Sequence, residues 1–478
     1  MLFNTRYLGP EIYGQVSWAI ALVTTFNSIS DFGFSAAHIK RVSEGRDVND
    51  CVSTFIAIKT SLTVAMLVGT LSYIAVLFYG LHSISQADVD VLLLIIAYYV
   101  FSNLTAVVWV TYEAQMESMK SNLVYIADPA FRTPLMILVS INQMDAIALA
   151  MTYVAGGIGM AAVGWFLFSR EHFKFVKPTL YRPYLVYASA IALITIFGTI
   201  SWNLDKLVIE AFGSVRDVGY YSSTQTLLGV VGFIGIAVTS LTFPAFSGLH
   251  REGNIKEIRN ITRLAEKYIS VLATPITVVL VLFPREVVVL FLGETFSPSA
   301  EAMRILALST YIMLLCQAYT PQIGGINRPE LSAKIVGINL LINVILLLIL
   351  VPSTLAGMPM LGMGFVGAAV ANLIISITLT IMVRYTVYHL IRTPFNPRIL
   401  LHFLAAFISG GTLFALAQFA PVLGWLDLIL YSLLELALFY LVLAAFRELT
   451  KGDISYIMEV INPKKMASYV KDEMKTKK

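Results

Sequence analysis

The chain has little charge and few residues that bind metals. Asp, Glu, Lys and Arg make up only 13% of its 478 residues, about half of their share in a soluble globular domain. Its two cysteines, Cys51 and Cys316, lie in separate apolar segments, and its six histidines are scattered. None of these residues forms a cluster with metal-ligand spacing. We therefore expect no disulfide, no metal site and no cofactor, and we interpret the histidines as structural or solvated.

Several sequence patterns are also missing. No basic segment followed by a short apolar stretch and a cleavage site opens the chain, so no signal peptide is predicted. The absence of a Walker A pattern argues against ATP hydrolysis, and the absence of alternating ten-residue strands excludes an outer-membrane barrel. Apolar residues, by contrast, make up 58% of the chain, and its mean hydropathy is +0.78. The sequence therefore predicts an all-α polytopic membrane protein.

Apolar windows of about 19 residues indicate thirteen membrane spans. They lie at about 12–37, 52–79, 90–112, 122–141, 146–168, 185–212, 219–246, 266–284, 300–323, 331–351, 363–389, 400–420 and 425–446.

Basic residues are distributed unevenly between the two ends of these spans. Of the 33 Lys and Arg residues, 26 lie in one set of alternate loops, at the adjoining span ends or in the C-terminal tail. Four lie at the other end, and three lie within spans. We call these two sides of the bundle the basic end and the opposite end. Because positive loops remain in the cytoplasm, the basic end and the C-terminus are predicted to be cytoplasmic, in a multi-pass cell-membrane protein.

Two pairs of glycines indicate an internal repeat. Gly14 and Gly219 each lie at the start of a span, 205 positions apart. Gly45 and Gly253 each lie in the loop that follows that span, 208 positions apart. Because both copies cross the membrane in the same direction, the repeat is parallel, with its axis along the membrane normal.

The repeat also predicts a helix before the first copy. Counting back 205 positions from Tyr184, where the helix before the second copy begins, reaches a point about 21 residues before Met1. Either most of this first helix is missing from the sequence, which we favour, or this version begins at Arg6-Tyr-Leu-Gly-Pro10.

Ionisable residues at membrane depth are costly, and they are therefore candidates for a functional site. The basic candidates are Lys59, Arg132 and Lys206, and the acidic candidates are Asp31, Asp128 and Asp205. Asp128 precedes Arg132 by one helical turn, so we expect the two to pair on one face of their helix. Pro129 and Pro134 flank this arginine and are expected to distort the helix there.

Some of these residues also have a simpler explanation. Lys59 is near the basic end of its span, where its side chain can extend to the headgroups. Asp31 is expected to cap a helix or to pair with Lys40 or Arg41. Lys206 can be balanced by its acidic neighbours near the headgroups.

Five short stretches of small and apolar residues follow one another along the chain. They are Arg6-Tyr-Leu-Gly-Pro-Glu-Ile-Tyr-Gly14, Asp205-Lys-Leu-Val-Ile209 with Val218-Gly-Tyr-Tyr221, Thr242-Phe-Pro-Ala-Phe-Ser247, Phe291-Leu-Gly-Glu-Thr-Phe296, and Gly364-Phe-Val-Gly-Ala-Ala-Val-Ala-Asn372. In this order they resemble the Wzx-type polysaccharide (O-antigen) flippases of the multidrug/oligosaccharidyl-lipid/polysaccharide exporter (MOP) superfamily.

The resemblance implies two six-helix lobes facing each other across a central cavity, plus two C-terminal helices. In this chain it places an N-terminal lobe, lacking most of its first helix, at 1–183 and a C-terminal lobe at 184–398. Two additional transmembrane helices follow at 399–447, and a basic cytoplasmic tail lies at 448–478. In the tail, apolar residues at helical spacing among many lysines predict a helix on the membrane surface.

The resemblance also implies the cargo: a polyprenyl-(pyro)phosphate-linked oligosaccharide, moved from the cytoplasmic to the outer leaflet by alternating access for surface polysaccharide biosynthesis. An anionic phosphate needs a cationic path through the membrane. The candidate phosphate contacts are Arg132, Lys206 and Lys59. The candidates for ion coupling or gating are Asp205, Asp128 and Asp31. The expected partners are the lipid-linked oligosaccharide and membrane lipids. Other glycan-assembly membrane proteins are left open, and no nucleic acid is expected.

Three alternative functions remain to be compared. A drug/cation antiporter of the same superfamily needs an acidic cavity, whereas the charge within the first-half spans is mainly basic. A flippase for the peptidoglycan precursor fits a cationic cavity equally well. A membrane polysaccharide polymerase generally needs a long outside loop, but the longest outside connection, from Pro284 to Arg304, is short and half apolar. We therefore predict a transporter and not an enzyme.

Overall fold

The computed structural model describes residues 2–171, 173–325 and 329–448, which are almost entirely helical. The helices are α1 (Leu2–Asp31), α2 (Phe34–Ser43), α3 (Val48–Ala75), α4 (Gln86–Ala114), α5 (Ser118–Ile141), α6 (Ala146–Ser169), α7 (Tyr181–Phe212), α8 (Val215–Arg251), α9 (Ile255–Leu282), α10 (Pro284–Leu292), α11 (Ala300–Gln317), α12 (Thr320–Gly325), α13 (Pro329–Leu350), α14 (Gly364–Ile391), α15 (Ile399–Ala417) and α16 (Trp425–Ala445). One π-helical turn, Val76–Gly80, follows α3, and a 3-10 helix, Glu294–Ser299, precedes α11. A short antiparallel hairpin pairs β1 (Thr354–Leu355) with β2 (Met358–Pro359).

Polar side chains cap several helix starts. Asp47 accepts a hydrogen bond from the Asn49 backbone at the start of α3, and Asp145 accepts one from Ala148 in α6. At α4, Ser85 and Asp88 cap each other's backbone N–H groups. These bonds satisfy donors that have no partner inside the helix. The short polar segments between the spans therefore fix where the membrane helices begin.

Twelve helical segments in the described part of the chain are long and apolar enough to cross a membrane. They match the second to thirteenth predicted spans. The first predicted span, 12–37, instead falls across α1 and α2, because the chain breaks at Phe32 and Gly33, whose φ angles are 47° and 81°. α1 is also bent at Gly9, where φ is 78°. The all-α membrane fold is confirmed, while the count of thirteen spans and the two-lobe arrangement stay predictions.

The two copies of the predicted repeat contain the same turn. Glu44 follows α2 and Glu252 follows α8, both with right-handed helical angles. The next residues, Gly45 and Gly253, have φ angles of 77° and 69°. Glycine adopts this left-handed conformation at little cost. The matching backbone explains why a glycine occurs at the same place in each copy, and it supports the repeat.

One hydrophobic core joins both halves of the chain at the opposite end. It includes Trp18 of α1, Tyr221 of α8 and Phe296 before α11. At the basic end the hydrophobic clusters are instead separate, and the two larger ones lie around Phe55 in the first half and around Ile269 in the second half. The halves are thus packed together mainly at the opposite end.

The division into lobes at 183/184 stays a prediction. The first residues of α7, including Tyr184, pack in the core of the first half, and the last turns of α7, including Ile209, pack in the shared core. α7 therefore runs from one half to the other. Of the predicted basic tail, 448–478, only Glu448 is among the described residues, so the predicted surface helix lies outside them.

Candidate functional site

Arg132 pairs with Asp128 on α5, as the one-turn spacing predicts. Its Nη2 atom is 3.1 Å from Asp128 Oδ2, and the Tyr98 hydroxyl donates a hydrogen bond of 3.2 Å to the same oxygen. The guanidinium carbon lies 4.6 Å from the ring centroid of Tyr153 and 6.0 Å from that of Tyr98. The arginine side chain is 17% exposed. Its planar group can therefore stack on an aromatic ring and still offer N–H groups to another acceptor.

Gly156 of α6 provides the space for this pair. A Cβ atom there would lie 2.2 Å from Asp128 Oδ1 and 3.1 Å from the Arg132 Cβ atom. Asp128 Oδ1 has no hydrogen-bond partner in the described part of the chain. α5 continues without a break through Pro129 and Pro134, so the expected distortion does not interrupt the helix.

Lys59 and Asp31 form an ion pair between α3 and α1. Lys59 Nζ is 2.8 Å from Asp31 Oδ1, and the two side chains are 3% and 31% exposed. Asp31 also accepts hydrogen bonds from the Ser35 hydroxyl and the Gly33 backbone, so it caps the turn as expected. A buried lysine cannot extend to the headgroups, so the expectation that Lys59 does so is wrong.

The expected pairing of Asp31 with Lys40 or Arg41 is also wrong. Arg41 pairs with Glu44 at 2.6 Å, and Lys40 Nζ lies 4.3 Å from the ring centroid of Tyr187. Both basic side chains are on α2, after the break at Phe32 and Gly33. The break turns them away from Asp31, which leaves its carboxylate to Lys59.

Asp205 of α7 is the centre of a buried polar group in the second half. It is 1% exposed. The Tyr221 hydroxyl donates a 2.5 Å hydrogen bond to Oδ2, and the side-chain amides of Asn372 and Asn343 donate to Oδ2 and Oδ1 at 3.2 Å and 3.5 Å. Three helices, α8, α13 and α14, thus supply neutral donors to one carboxylate. Asn343 Oδ1 has no hydrogen-bond partner among the described residues.

Lys206 and Glu210 do not complete this group. Lys206 is partly buried, and no described carboxylate lies within ion-pair distance of its Nζ atom. Glu210 instead receives a hydrogen bond from Trp18 of α1. The sequence predicted that both acidic neighbours would balance the charge of Lys206. In the described part of the structure only the adjacent Asp205 attracts it.

The structure thus places the six sequence candidates in separate groups. Arg132 with Asp128 and Asp205 with Lys206 border the shared core, whereas Lys59 with Asp31 lies nearer the basic end. No described hydrogen bond or ion pair connects one group to another.

A further buried ion pair was missed by the sequence reasoning. Arg384 Nη2 of α14 is 3.1 Å from Glu266 Oε1 of α9 and donates a 2.8 Å hydrogen bond to the Tyr319 hydroxyl. The Glu266 side chain is 1% exposed. Arg384 is one of the 26 basic residues counted at the basic end, although its position five residues inside the predicted span 363–389 was a usable signal.

Glu435 of α16 is also fully buried, and it accepts a 2.7 Å hydrogen bond from Ser409 of α15. It thereby joins the two C-terminal helices. Among the described residues, no three His, Cys, Asp or Glu side chains are grouped closely enough to hold a metal ion.

An apolar groove of about 370 Å³ lies between α9, α11 and α15. Its lining includes Val278, Tyr311, Phe403, Phe407 and Phe414. Gly410 of α15 faces Val278, where a Cβ atom would lie only 3.0 Å from the valine side chain. The groove can therefore hold a hydrocarbon chain without burying a polar group.

Sequence comparisons identify the family of this chain. The profile of a family described as polysaccharide biosynthesis protein matches residues 4–301, which is more than half of the chain. The probable low-salt glycan biosynthesis flippase Agl15 of Haloferax volcanii is 23% identical over 381 residues, covering 77% of this chain and 75% of that protein. The uncharacterized membrane protein MJ1068 of Methanocaldococcus jannaschii is 22% identical over 170 residues, or 35% of this chain. That match spans 32% of the length of MJ1068.

Solved structures identify the fold. The lipid II flippase MurJ, in an inward closed conformation, has a TM-score of 0.75 at 14% identity, covering 94% of this chain and 95% of that chain. An inward-facing multidrug resistance MATE family transporter of the MOP superfamily has a TM-score of 0.61 at 16% identity, covering 82% and 94%. The chain therefore belongs to the polysaccharide biosynthesis protein family and has the fold of the MOP-superfamily transporters.

Proposed function

We propose that this protein is a flippase for a lipid-linked oligosaccharide and that Arg132 contacts the phosphate of the cargo. The protein acts as a transporter and not as an enzyme. Its membership of the polysaccharide biosynthesis family supports a glycan cargo, and the name of its relative Agl15 supports the flipping reaction. The cargo is a polyprenyl-(pyro)phosphate-linked repeat unit that moves from the cytoplasmic to the outer leaflet.

The observation that carries this proposal is the partly exposed guanidinium of Arg132. In the absence of cargo, its charge is offset by Asp128, and its plane is held against Tyr153. A phosphate can accept two parallel N–H bonds from such a group. Charge-assisted bonds of this kind contribute about 1.5–3 kcal/mol each. Because the guanidinium has five N–H donors, Arg132 can bind a phosphate with its remaining N–H groups while it keeps its ion pair with Asp128.

The two other basic candidates take different roles in this proposal. Lys206 in the second half is a further phosphate contact, because its charge has no described ion pair. Lys59 is bound to Asp31 across α1 and α3, so we assign this pair to gating at the basic end. Breaking and re-forming one interhelical ion pair allows the two helices to separate reversibly.

Asp205 is proposed to couple transport to an ion. Its carboxylate is buried among neutral donors, so binding of a proton or a small cation would change the local charge by one unit. An unpaired oxygen of Asn343 is an additional ligand for a hard cation. The same burial argues against the drug/cation antiporter alternative, because a large cationic substrate cannot reach this carboxylate without displacing Tyr221, Asn343 and Asn372.

The packing of the helices is compatible with alternating access. The shared core closes the protein at the opposite end, whereas the halves have separate cores at the basic end. Rocking of the halves would exchange the open and closed ends. The apolar groove beside α15 can hold part of the prenyl chain while the sugar passes between the halves.

The test is complementation of a host that lacks its surface-polysaccharide flippase. We expect the wild-type chain to restore surface glycan and the Arg132→Ala variant to lose at least about tenfold of it, since one charge-assisted bond is worth about that factor. Arg170→Ala is the matched control, because Arg170 is an exposed arginine at the end of α6. Equal expression of all three proteins is verified in membranes.

Two results would contradict the proposal. If lipid-linked repeats remain in the inner leaflet despite good expression of the wild-type chain, another cargo is carried. A host that lacks its peptidoglycan-precursor flippase then tests the peptidoglycan-precursor alternative, and drug efflux tests the drug/cation antiporter alternative. If Arg132→Ala and Arg170→Ala complement equally, the protein is a flippase whose phosphate contact is elsewhere.

A further inference from the structure

A second polar pocket, remote from Arg132, lies at the basic end between α9, the loop before α15 and the end of α16. Its volume is about 530 Å³. Its polar lining consists of Asn260, Arg263, Lys267, Asn396, Arg398 and Glu448. Arg263 and Arg398 therefore face the same space as Glu448.

The chain itself places an anion in this pocket. The Glu448 carboxylate is 3% exposed and lies 3.5 Å from Arg398 Nη1. Its other oxygen is 3.9 Å from Nε2 of the buried His402. Neither ring nitrogen of His402 has a hydrogen-bond partner among the described residues. The pocket thus already accommodates a carboxylate beside Arg398, while Arg263 faces the same space from α9.

The pocket has a rigid frame. Arg259, one turn before Arg263 on α9, donates two hydrogen bonds to the Ile391 carbonyl oxygen, at 2.9 Å and 2.7 Å. The guanidinium of Arg384 lies 4.9 Å from the ring centroid of Phe395 in the loop. The end of α14 is therefore held to α9 and to the loop by contacts that do not use the charges facing the pocket.

The length of α9 places the pocket at the level of the lipid headgroups. Its 28 residues extend about 42 Å at 1.5 Å per residue, about 12 Å more than the hydrocarbon core of a bilayer. The charged residues of α9 all lie before Tyr268, so the excess length lies at the basic end and ends near Arg263. Leu264 and Phe395, both exposed, form an apolar rim beside the charges.

We propose that this pocket binds the phosphate headgroup of an anionic membrane lipid. Arg263 and Arg398 contact the phosphate oxygens, Asn260 and Asn396 donate hydrogen bonds to the headgroup, and Leu264 and Phe395 contact the upper part of the acyl chains. Glu448 competes with the lipid for Arg398. The site would link α9 to α15 and is independent of the transported cargo. The apolar rim favours a lipid over a free phosphate ion.

The experiment measures binding of phosphatidylglycerol to the full-length purified protein by native mass spectrometry, with phosphatidylcholine as the zwitterionic reference. We expect the Arg263→Gln/Arg398→Gln variant to bind phosphatidylglycerol about tenfold more weakly, because charge-assisted hydrogen bonds are lost. The Arg251→Gln/Lys256→Gln variant removes the same charge from exposed residues at the same end and is expected to bind normally. Arg263→Gln alone tests the site if the double variant unfolds.

A substitution of Glu448 is expected to change lipid binding in the opposite direction from the arginine substitutions. Glu448→Gln is expected to bind phosphatidylglycerol more tightly than the wild type, since it removes a competing negative charge. If the pocket variant and the control variant both bind phosphatidylglycerol equally weakly, the lipid is attracted by the overall charge of the protein. That result would overturn the proposed site. Displacement of the lipid by equimolar inorganic phosphate would overturn the lipid assignment and identify a site for a soluble anion. Neither result depends on whether the protein flips an oligosaccharide.

Discussion

Gly14 of α1 and Gly219 of α8 each face the backbone of the other helix, and neither position has room for a side chain. A Cβ atom on Gly14 would lie 1.8 Å from the Val215 carbonyl oxygen, and one on Gly219 would lie 1.9 Å from the Pro10 carbonyl oxygen. Pro10 and Val215 are separated by the same 205 positions as the two glycines. The predicted repeat therefore maps this contact onto itself, because it exchanges Gly14 with Gly219 and Pro10 with Val215.

We expect Gly14→Ala to open the protein at the opposite end, because its methyl group overlaps the α8 backbone. Such overpacking costs about 1–3 kcal/mol in the closed arrangement. The measurement is labelling of Thr226→Cys, which replaces a residue hydrogen-bonded to Tyr13 across the two helices, by a membrane-impermeant maleimide. The native Cys51 and Cys316 are buried. Gly229→Ala is the control, since a Cβ atom there meets nothing within 4 Å. Equal labelling in both backgrounds would contradict the close contact.

The aromatic contact of Arg132 predicts different effects for two substitutions of Tyr153. Tyr153→Phe retains the ring and is expected to transport normally. Tyr153→Leu removes a cation–π contact worth about 0.5–2 kcal/mol and should lower complementation severalfold. Surface glycan per cell, normalised to protein level, is the measurement. If both variants behave alike, the ring does not position the arginine.

Asp205 is expected to tolerate loss of charge better than loss of its oxygens. Asp205→Ala leaves Tyr221, Asn343 and Asn372 without their acceptor, at a cost of about 1–3 kcal/mol for a buried donor. Asp205→Asn retains one acceptor and should unfold closer to the wild-type temperature while losing ion-dependent transport. Thermal unfolding in detergent and flipping in vesicles with imposed ion gradients measure the two effects. Asp145→Asn, an exposed cap that asparagine also satisfies, serves as the reference.

The Lys59–Asp31 ion pair should make the effects of substituting the two residues on stability non-additive. Lys59→Met leaves a partly buried carboxylate without its cation and is expected to destabilise the protein by about 1–3 kcal/mol. Adding Asp31→Asn removes that charge and should restore part of the loss. The unfolding temperatures of the two single variants and the double variant give the coupling. Lys177→Met, at an exposed lysine before α7, should have little effect. Strict additivity would show that the pair does not contribute.

A larger effect is expected at Glu266, which is more deeply buried. Arg384→Met leaves this carboxylate unpaired and should cost about 3 kcal/mol. Arg384→Met/Glu266→Gln should be more stable than Arg384→Met alone, since the uncompensated charge is gone. Thermal unfolding of both variants checks the order. The opposite order would mean that Tyr319 is sufficient to satisfy the carboxylate.

Some features of the site could be read from the sequence because they depend on one helix. Asp128 and Arg132 are four residues apart on α5, and helical geometry alone places them on one face. Gly45 and Gly253 could be recognised as equivalent because each follows an acidic residue at the end of a span. The apolar windows likewise located twelve long helices, since a membrane span needs a continuous apolar stretch.

Other features depend on how helices are packed and rotated against one another. The partner of Asp31 is Lys59, 28 positions away, and not the nearer Lys40 or Arg41, because the break after α1 redirects α2. Asp205 meets Asn343 and Asn372, which are 138 and 167 positions away.

The sequence by itself determined the membrane class, the approximate positions of the helices and the intrahelical pair of Asp128 with Arg132, and it predicted the internal repeat. Each of these follows from local spacing or from hydrophobicity. The tertiary structure alone decided the buried surroundings of Asp205, the Lys59–Asp31 and Glu266–Arg384 ion pairs, and the basic pocket around Glu448. These contacts join residues from different helices, and no periodicity within a single segment specifies which faces will meet.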